Sequence, residues 1–293
     1  MIHVPTLRRW PFADVVQSYS VDDTLRYALA LGCGSDPCDE HELRYVTELA
    51  GGAPLALPSM AVVLGFPGSW MQDPATGIAF ARIVHGEEGL VMHRPLPPSG
   101  TVRARHRVTR IVDKGPGRGA TITYDKDLFC ADSGALLATV THTTFARGDG
   151  GFATPDEPGD PPLPAPPPLP DRAPDATLDL ATLPQQALLY RLCADRNPLH
   201  AWPPAARAVG FERPILHGLC TWGMACRALL ALRGGHQPAR LRSLFARFSA
   251  PVLPGQTLRC EVFDEADGAL RFRVRVVETG RVVLDGGQAQ LDG

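Results

Sequence analysis

One short segment of the chain carries a carboxylate, an amide and an imidazole around a proline: Asp195, Asn197, Pro198 and His200. On an α-helix, residues five apart are about 500° apart, or roughly 140° around the axis, so a helix could not direct Asp195 and His200 at one atom. Pro198 pushes Asn197 toward extended dihedral angles and ends the preceding helix. We therefore predict a turn that brings the carboxylate and the imidazole together. Such a pair can give and take protons on neighbouring atoms of a substrate.

A glycine that could bind a developing negative charge follows this segment. The stretch Gly218–Leu232 is apolar on nearly every side until Arg227, which predicts a buried helix that begins at Gly218. The free N–H groups of a helix N-terminus can approach a polarised carbonyl oxygen, and a residue without a side chain does not obstruct them. The sequence thus places an acid, a base and an oxyanion donor close together.

Each member of the segment also has a simpler role open to it. Asp195 could end a helix or form an Asx turn, Asn197 could form a turn, and His200 could be a hydrogen-bonded polar group. Their combination with His217 and Gly218 favours the catalytic interpretation.

Two parts of the chain resemble each other at an offset of 156 to 159 positions, and each could hold such groups in place. Residues 97–103 echo residues 253–259, and each opens a run of strands with partial polar and apolar alternation. The predicted strands are 101–112, 120–130 and 136–147 in the first run, and 256–264, 270–278 and 281–290 in the second. Predicted helices precede each run, at 22–31 and 59–65, and at 185–193 and Gly218–Leu232. We predict an α+β fold in which a long buried helix wrapped by an antiparallel sheet occurs twice.

A proline-rich stretch separates the two parts. Residues 153–175 read ATPDEPGDPPLPAPPPLPDRAPD, which neither a helix nor a strand ladder tolerates. The predicted domains are an N-terminal repeat at 1–152, a linker at 153–175 and a C-terminal repeat at 176–293.

Composition excludes several classes of protein. Lys and Arg number 29 against 31 Asp and Glu, so the net charge of −2 offers no attraction to nucleic acid or to a membrane surface. The N-terminal residues lack the pattern of a secretory signal, and the last residues form no peroxisomal address, so we expect the cytoplasm. Seven cysteines without a C-x-x-C pair predict reduced buried thiols, and we expect no metal site.

The motifs together resemble the hydratase-2 type (R)-specific enoyl-CoA hydratases, in the MaoC-like branch of hot-dog-fold proteins. The string Asp-Arg-Asn-Pro-Leu-His at 195–200 and Pro-Ile-Leu-His-Gly-Leu-Cys-Thr at 214–221 are similar to the family signature. In the first part, the stretches 84–87, 94–100 and 112–115 are similar to its non-catalytic repeat, and 185–191 to the lead-in to the signature. The resemblance covers nearly the whole chain.

The resemblance implies a double hot-dog whose C-terminal repeat is catalytic and whose N-terminal repeat helps to hold an acyl-CoA thioester. It implies Asp195 and His200 as the acid/base pair, Asn197 as the residue that orders it, and Gly218 as the N–H donor to the thioester carbonyl. By position, four further residues match substrate contacts: His85, Gly86, Lys114 and Phe248. Lys114 could equally be a solvated charge in a turn, and His85 is similarly open. One departure is Ala194, where the family usually has Gly.

The implied reaction is the reversible hydration of trans-2-enoyl-CoA to (R)-3-hydroxyacyl-CoA, which needs no metal or redox cofactor. His200 would take a proton from water as the oxygen attacks C3, and the Asp195 side would deliver a proton to C2. Steroid-derived or carrier-protein-bound enoyl thioesters are alternative substrates, and a non-catalytic thioester-binding subunit is the alternative from another class. A monomer and a homodimer are both open, and the resemblance favours the homodimer.

Overall fold

The computed structural model describes residues 2–48 and 52–292. The strands within these ranges are β1 (Val15–Tyr19), β2 (Ile83–Met92), β3 (Gly100–Asp113), β4 (Ala120–Cys130), β5 (Leu136–Ala146), β6 (Ala176–Ala181), β7 (Leu241–Phe248), β8 (Thr257–Asp264), β9 (Ala269–Val276) and β10 (Val282–Leu291). The α-helices are α1 (Val4–Arg8), α2 (Val21–Ala30), α3 (Glu40–Val46), α4 (Gln186–Tyr190), α5 (Pro203–Ala208) and α6 (Gly218–Leu232). Short 3₁₀ helices lie at Pro58–Val62, Trp70–Gln72, Pro74–Thr76, Phe80–Arg82, Pro198–His200, Pro238–Arg240 and Ala266–Gly268.

All ten strands form one antiparallel sheet in the order β1-β3-β4-β5-β2-β7-β10-β9-β8-β6. The first five strands in this order come from the N-terminal repeat and the last five from the C-terminal repeat. Each set has the same internal order, read outward from the centre. The predicted α+β class is confirmed, and the shared order supports the repeat division, which stays a prediction.

The two sets of strands meet where β2 pairs with β7. This β2–β7 seam runs from the pair Glu87 and Arg247 to the pair Val91 and Ser243. The Arg247 guanidinium also donates to the Glu87 carboxylate at 2.6 Å. Strands β2 and β7 were not predicted from the sequence, yet they hold the repeats together.

Helix α6 is the long buried helix that the sequence predicts in the C-terminal repeat. It spans Gly218–Leu232 with the predicted bounds, and Trp222, Cys226 and Leu229 are fully buried. Because α6 is apolar on nearly all sides, it has to be enclosed. It packs against the sheet of its own repeat and against the 3₁₀ helix Pro58–Val62 of the other.

The described residues 59–65 do not form the long buried helix that the sequence predicts for the N-terminal repeat. The chain there forms only the 3₁₀ helix Pro58–Val62. The helix ends at Val62, and Gly65, at φ +64° in the turn that follows, packs so closely on Ala104 that a Cβ there would overlap the Ala104 side chain. The chain therefore turns away at the point where a longer helix would continue.

A buried lysine holds the end of this 3₁₀ helix. The Lys126 Nζ on β4 donates to the carbonyls of Ala61 and Val62 at 2.9 Å and to that of Leu64 at 2.6 Å. Burial lowers the pKa of Lys126 to about 8. These three bonds satisfy carbonyl groups that the helix end leaves without an intrahelical partner.

The proline-rich residues 153–175 contain no helix or strand, as predicted. They still contact the folded repeats: Asp160 accepts from Arg8 at 2.8 Å and from the Ile111 N–H at 2.7 Å. Within the described ranges, no helix has the length and apolar character needed to cross a membrane.

Candidate active site

The segment around Pro198 folds as the predicted turn. The Asp195 Oδ1 accepts from the Asn197 N–H at 2.8 Å, and the Asn197 Oδ1 accepts from the Leu199 N–H at 3.0 Å. Asn197 is extended, with ψ 126°, and it caps the 3₁₀ helix Pro198–His200. Both side chains thus order the backbone between the carboxylate and the imidazole.

The turn brings Asp195 and His200 together, and His217 joins them. A carboxylate oxygen of Asp195 and a ring nitrogen from each histidine all lie within 4.8 Å of one another. Asp195 is exposed, whereas His200 is 9% exposed. One group of the pair therefore faces solvent and the other faces the interior.

Hydrogen bonding fixes which nitrogen of His200 is free. The Nδ1 lies 2.9 Å from the carbonyl oxygen of Ile215. Because a carbonyl only accepts, Nδ1 must carry the proton, and Nε2 of the neutral ring is left as an acceptor. Burial lowers the pKa of His200 below its ordinary value of 6.5, although Ile215 and Asp195 act in the opposite direction. His200 is therefore neutral at pH 7 and able to act as a base.

His217 supports both members of this pair. Its Nε2 donates to the backbone carbonyl of Asp195 at 2.9 Å, and its ring stacks on that of His200 with centroids 3.7 Å apart. Burial, followed by the nearby His200, lowers the pKa of His217 to about 3. The sequence shows His217 only as the neighbour of Gly218 and gives no indication of this role.

Gly218 is the first residue of α6, as predicted. The N–H groups of Cys220 and Thr221 donate to the His217 carbonyl, and no backbone partner of the Gly218 N–H is found within the described residues. A Cβ on Gly218 would lie 3.1 Å from the ring of Phe248. A side chain here would thus press on Phe248 and narrow access to the helix N-terminus.

Phe248 links the C-terminal repeat to the predicted substrate contacts of the N-terminal repeat. The His85 ring lies 4.4 Å from the Phe248 ring, measured between centroids. Gly86 occupies a bulge between β2 and β5, where a Cβ would lie 3.2 Å from the carbonyl oxygen of Thr143. Gly218, Phe248, His85 and Gly86 thus form a continuous surface across the β2–β7 seam.

Lys114 lies at the outer end of this surface. It is exposed in the turn after β3, and its Nζ is 5.7 Å from the centre of the Phe145 ring. The Cβ of Phe145 is 3.7 Å from the Cβ position of Gly86. Among the described residues, no contact joins Lys114 to Asp195 or His200, so its predicted role concerns a distal part of the ligand.

Two residues that sequence reasoning missed stand behind His85. Glu88 is 1% exposed, and one of its oxygens accepts from His85 Nε2 at 2.8 Å and from His142 Nδ1 at 3.0 Å. Burial acts to raise the pKa of Glu88, but the two imidazoles lower it overall to about 2. No signal in the sequence pointed to this cluster, because β2 was not predicted and the pairing of Glu88 with His142 depends on the register between β2 and β5.

Ala194, the departure from the family pattern, causes no backbone strain. Among the described residues, only His236 and Asp267 have positive φ without being glycine. The position before Asp195 thus does not require the conformational freedom of glycine.

A cavity of about 200 Å³ lies between the repeats beside the turn. Leu192 and Cys193, just ahead of Asp195, line one side, and Met60, Val63 and Leu64 line another. The rest of the lining is mostly polar and comes from β1 and α2: Gln17, Ser18, Tyr19, Asp23, Arg26 and Tyr27. The chain that follows the 3₁₀ helix Pro58–Val62 thus forms part of its wall.

Two clusters have donor sets that could hold a metal ion: Asp195 with His200 and His217, and Glu88 with His85 and His142. In each of them, hydrogen bonds already fix one nitrogen of every imidazole. The expectation of a metal-free site stays a prediction.

Comparison with protein families matches both parts of the chain. Residues 167–286 match the MaoC-like domain, and residues 17–148 match the MFE-2 hydratase 2 N-terminal domain. Enoyl-CoA hydratase ChsH3 of Mycobacterium tuberculosis is 38% identical, with 92% of each chain covered. The 3-hydroxyacyl-thioester dehydratase Y of the same organism is 39% identical, with 92% of this chain and 91% of the relative covered.

Solved structures agree with this match. The MaoC-like dehydratase of Phytophthora capsici superposes with a TM-score of 0.84 at 32% identity, and 99% of each chain is covered. Rv0216 of Mycobacterium tuberculosis, described as a double hotdog fold, has a TM-score of 0.56 at 19% identity over 96% of this chain and 94% of that one, which bears on the fold alone. The double hot-dog prediction is confirmed.

Proposed function

The chain belongs to the MaoC-like, hydratase 2 family of double hot-dog proteins, and from that premise we propose that it reversibly hydrates trans-2-enoyl-CoA to (R)-3-hydroxyacyl-CoA. The observation that carries the proposal is the convergence of the Asp195 carboxylate and the His200 imidazole within 4.8 Å. Hydration needs a base for water and an acid for the adjacent carbon, and this pair offers both.

The proton transfers follow from the hydrogen bonds of the pair. His200 Nε2 takes a proton from a water molecule as the water oxygen bonds to C3 of the enoyl group. A protonated Asp195 carboxyl gives its proton to C2 and becomes a carboxylate, so that hydrogen and hydroxyl add across one double bond. Transfer of the proton from His200 Nε2 to Asp195 then restores both groups. Asn197 holds the carboxylate turn through its own N–H. Dehydration uses the same groups in reverse.

Gly218 is proposed to stabilise the intermediate. Addition at C3 places negative charge on the thioester oxygen, and fixed N–H donors stabilise such an enolate. The Gly218 N–H at the start of α6 supplies one donor, with the helix dipole favouring the negative charge.

The surface formed by His85, Gly86 and Phe248 is proposed to hold the thioester beyond its sulfur. Lys114, farther out, would meet the phosphates or the adenine end of coenzyme A. The cavity beside Cys193 would receive the acyl chain.

Three earlier alternatives concern the same site. Steroid-derived or carrier-protein-bound enoyl thioesters would need more room or a different outer surface, and a non-catalytic subunit would bind thioesters without turnover. The proposed assembly is a homodimer, and the proposed location is the cytoplasm.

A spectroscopic assay tests the proposal. Purified protein mixed with crotonyl-CoA is expected to remove the absorbance of the conjugated thioester, and Asp195→Asn and His200→Gln are expected to lower kcat by about 10²- to 10⁴-fold. Binding without turnover by the wild type would contradict hydration. Full activity of both variants would instead contradict the assignment of the pair.

A further inference from the structure

We propose that Glu88 is a positioning residue that fixes the tautomer of His85, so that the free His85 Nδ1 accepts the first amide N–H of the thioester's pantetheine arm. This inference rests on the proposed function, because it assumes that a thioester carbonyl lies at Gly218. It adds a ligand atom for His85 and a role for Glu88 and His142.

The tautomer follows from two independent acceptors. His85 Nε2 lies 2.8 Å from Glu88 Oε2 and 3.2 Å from the carbonyl oxygen of Glu87. An ionised carboxylate and a carbonyl both only accept, so Nε2 carries the proton. Burial, with His142 nearby, lowers the pKa of His85 to about 4, and in the neutral ring Nδ1 is an acceptor. A neutral acceptor suits an amide N–H rather than a phosphate.

His142 limits the freedom of this arrangement. Its Nδ1 lies 3.0 Å from the same Glu88 oxygen, and its ring centroid is 3.9 Å from that of His85. The buried carboxylate thus holds two adjacent imidazoles whose planes are tilted by 33°, and the His85 side chain remains 21% exposed. The ring is fixed from behind while part of it stays open to a ligand.

The position of His85 matches the chemistry of the arm. In a coenzyme A thioester, the first amide nitrogen lies three bonds beyond the sulfur. Phe248 packs on Gly218, and His85 lies 4.4 Å from Phe248 on the way out. If the thioester carbonyl lies at Gly218 and the pantetheine arm runs outward along this surface, the first amide of the arm reaches His85.

A substitution in the ligand tests the hydrogen bond directly. S-crotonyl-N-acetylcysteamine carries this single amide, and its 2-acetoxyethyl counterpart has oxygen in place of the N–H. We expect wild-type kcat/KM to be about three- to tenfold higher for the amide, as one hydrogen bond gives. In Glu88→Met the ratio should approach one. Equal ratios in wild type and variant would overturn the proposal.

A matched control separates this effect from the loss of any buried carboxylate. Glu261 on β8 is also 1% exposed and is paired with Arg273 and Arg275, in the C-terminal repeat. Glu261→Met should keep the wild-type preference for the amide. Loss of the preference in this variant as well would contradict a specific role for Glu88.

A second measurement needs no variant. In ¹⁵N-histidine-labelled wild type, His85 should show a protonated Nε2 and a bare Nδ1, and saturating butyryl-CoA should shift the Nδ1 signal toward that of a hydrogen-bonded acceptor. A protonated Nδ1, or no shift on binding, would refute the inference. Absence of crotonyl-CoA turnover would refute the proposed function instead, since this NMR experiment depends only on binding.

Discussion

At the scale of single residues, the surroundings of His200 determine its proposed chemistry. The sequence predicts that a proline-bent turn brings Asp195 and His200 together, and the structure does so. The sequence could not predict that the Ile215 carbonyl selects the tautomer of His200, because the tertiary fold joins these positions, which are 15 residues apart. Glu88 and His142 could not be predicted either, because their pairing depends on the register between β2 and β5.

The acid limb of the pH profile is the first prediction. The folded-state pKa of His200 lies below 6.5, so the neutral base persists at pH 6.5 and is lost as the pH falls through that pKa. We expect kcat/KM for crotonyl-CoA to be flat near pH 7 and to decline with a midpoint below 6.5. A midpoint above 6.5 would contradict His200 as the base.

Unfolding must be separated from this titration. Depressed histidine pKa values contribute stability that is present above the unfolded-state value and lost as the pH falls through the folded-state value. Circular dichroism at each pH is the control: a native spectrum through the activity midpoint assigns the decline to titration of His200, and a loss of signal there assigns it to unfolding.

Gly218→Ala is the second prediction. The added Cβ would press on Phe248 at 3.1 Å and displace either the ring or the helix N-terminus. We expect kcat to fall about ten- to hundredfold, as small misplacements at reacting groups do. Gly52→Ala, where a Cβ meets no atom of the described residues within 4 Å, is the control and should retain wild-type kcat. Wild-type kcat for Gly218→Ala would contradict a close approach of substrate at this glycine.

At the scale of elements, local patterns predicted six of the ten strands in the described residues, and helices α2 and α6. The strands that were missed include β2 and β7, which carry His85 and Phe248. β2 contains two glycines and two glutamates, and β7 contains two arginines, so neither shows a clear alternation. Their place at the centre of the sheet comes from pairing with each other. The expected helix at 59–65 is instead a five-residue 3₁₀ helix that ends at Val62, where Lys126 binds the carbonyls of its last residues and Gly65 turns the chain away.

The third prediction concerns the cavity wall that is formed by the 3₁₀ helix Pro58–Val62 and the residues after it. Val63 lines the cavity, and a phenylalanine there would fill part of its 200 Å³. We expect Val63→Phe to lower kcat/KM for octenoyl-CoA relative to crotonyl-CoA by roughly tenfold or more. Val277→Phe, at a site 40% exposed in the turn after β9, should leave the ratio unchanged. An unchanged ratio in Val63→Phe would remove the cavity as the acyl site.

At the scale of the whole molecule, the two repeats are joined by buried polar contacts as well as by the sheet. The Arg227 guanidinium of α6 donates to both Glu42 oxygens of α3, at 2.6 Å each, and both residues are buried. The duplicated pattern in the sequence predicts two similar units. It does not predict which of their surfaces meet, since that depends on residues about 185 positions apart.

The fourth prediction follows from this pair. Glu42→Gln leaves the Arg227 charge buried without its carboxylate, and we expect the free energy of unfolding in urea to fall by about 3 to 5 kcal/mol. The exposed pair of Asp179 with Arg259 is the control, and Asp179→Asn should cost less than about 1 kcal/mol. If Glu42→Gln and Asp179→Asn lower the free energy of unfolding equally, water must solvate Arg227 in the folded protein.

We expect the β2–β7 seam to hold the repeats together even without covalent continuity between them. Leu163 is 61% exposed within the proline-rich stretch, so we expect a gene split after codon 163 to yield two polypeptides that copurify as a heterodimer with wild-type hydratase activity. Either fragment alone would present an unpaired strand edge and should aggregate. Recovery of two soluble, separately folded fragments would show that the peptide tether, rather than strand pairing, keeps the halves in register.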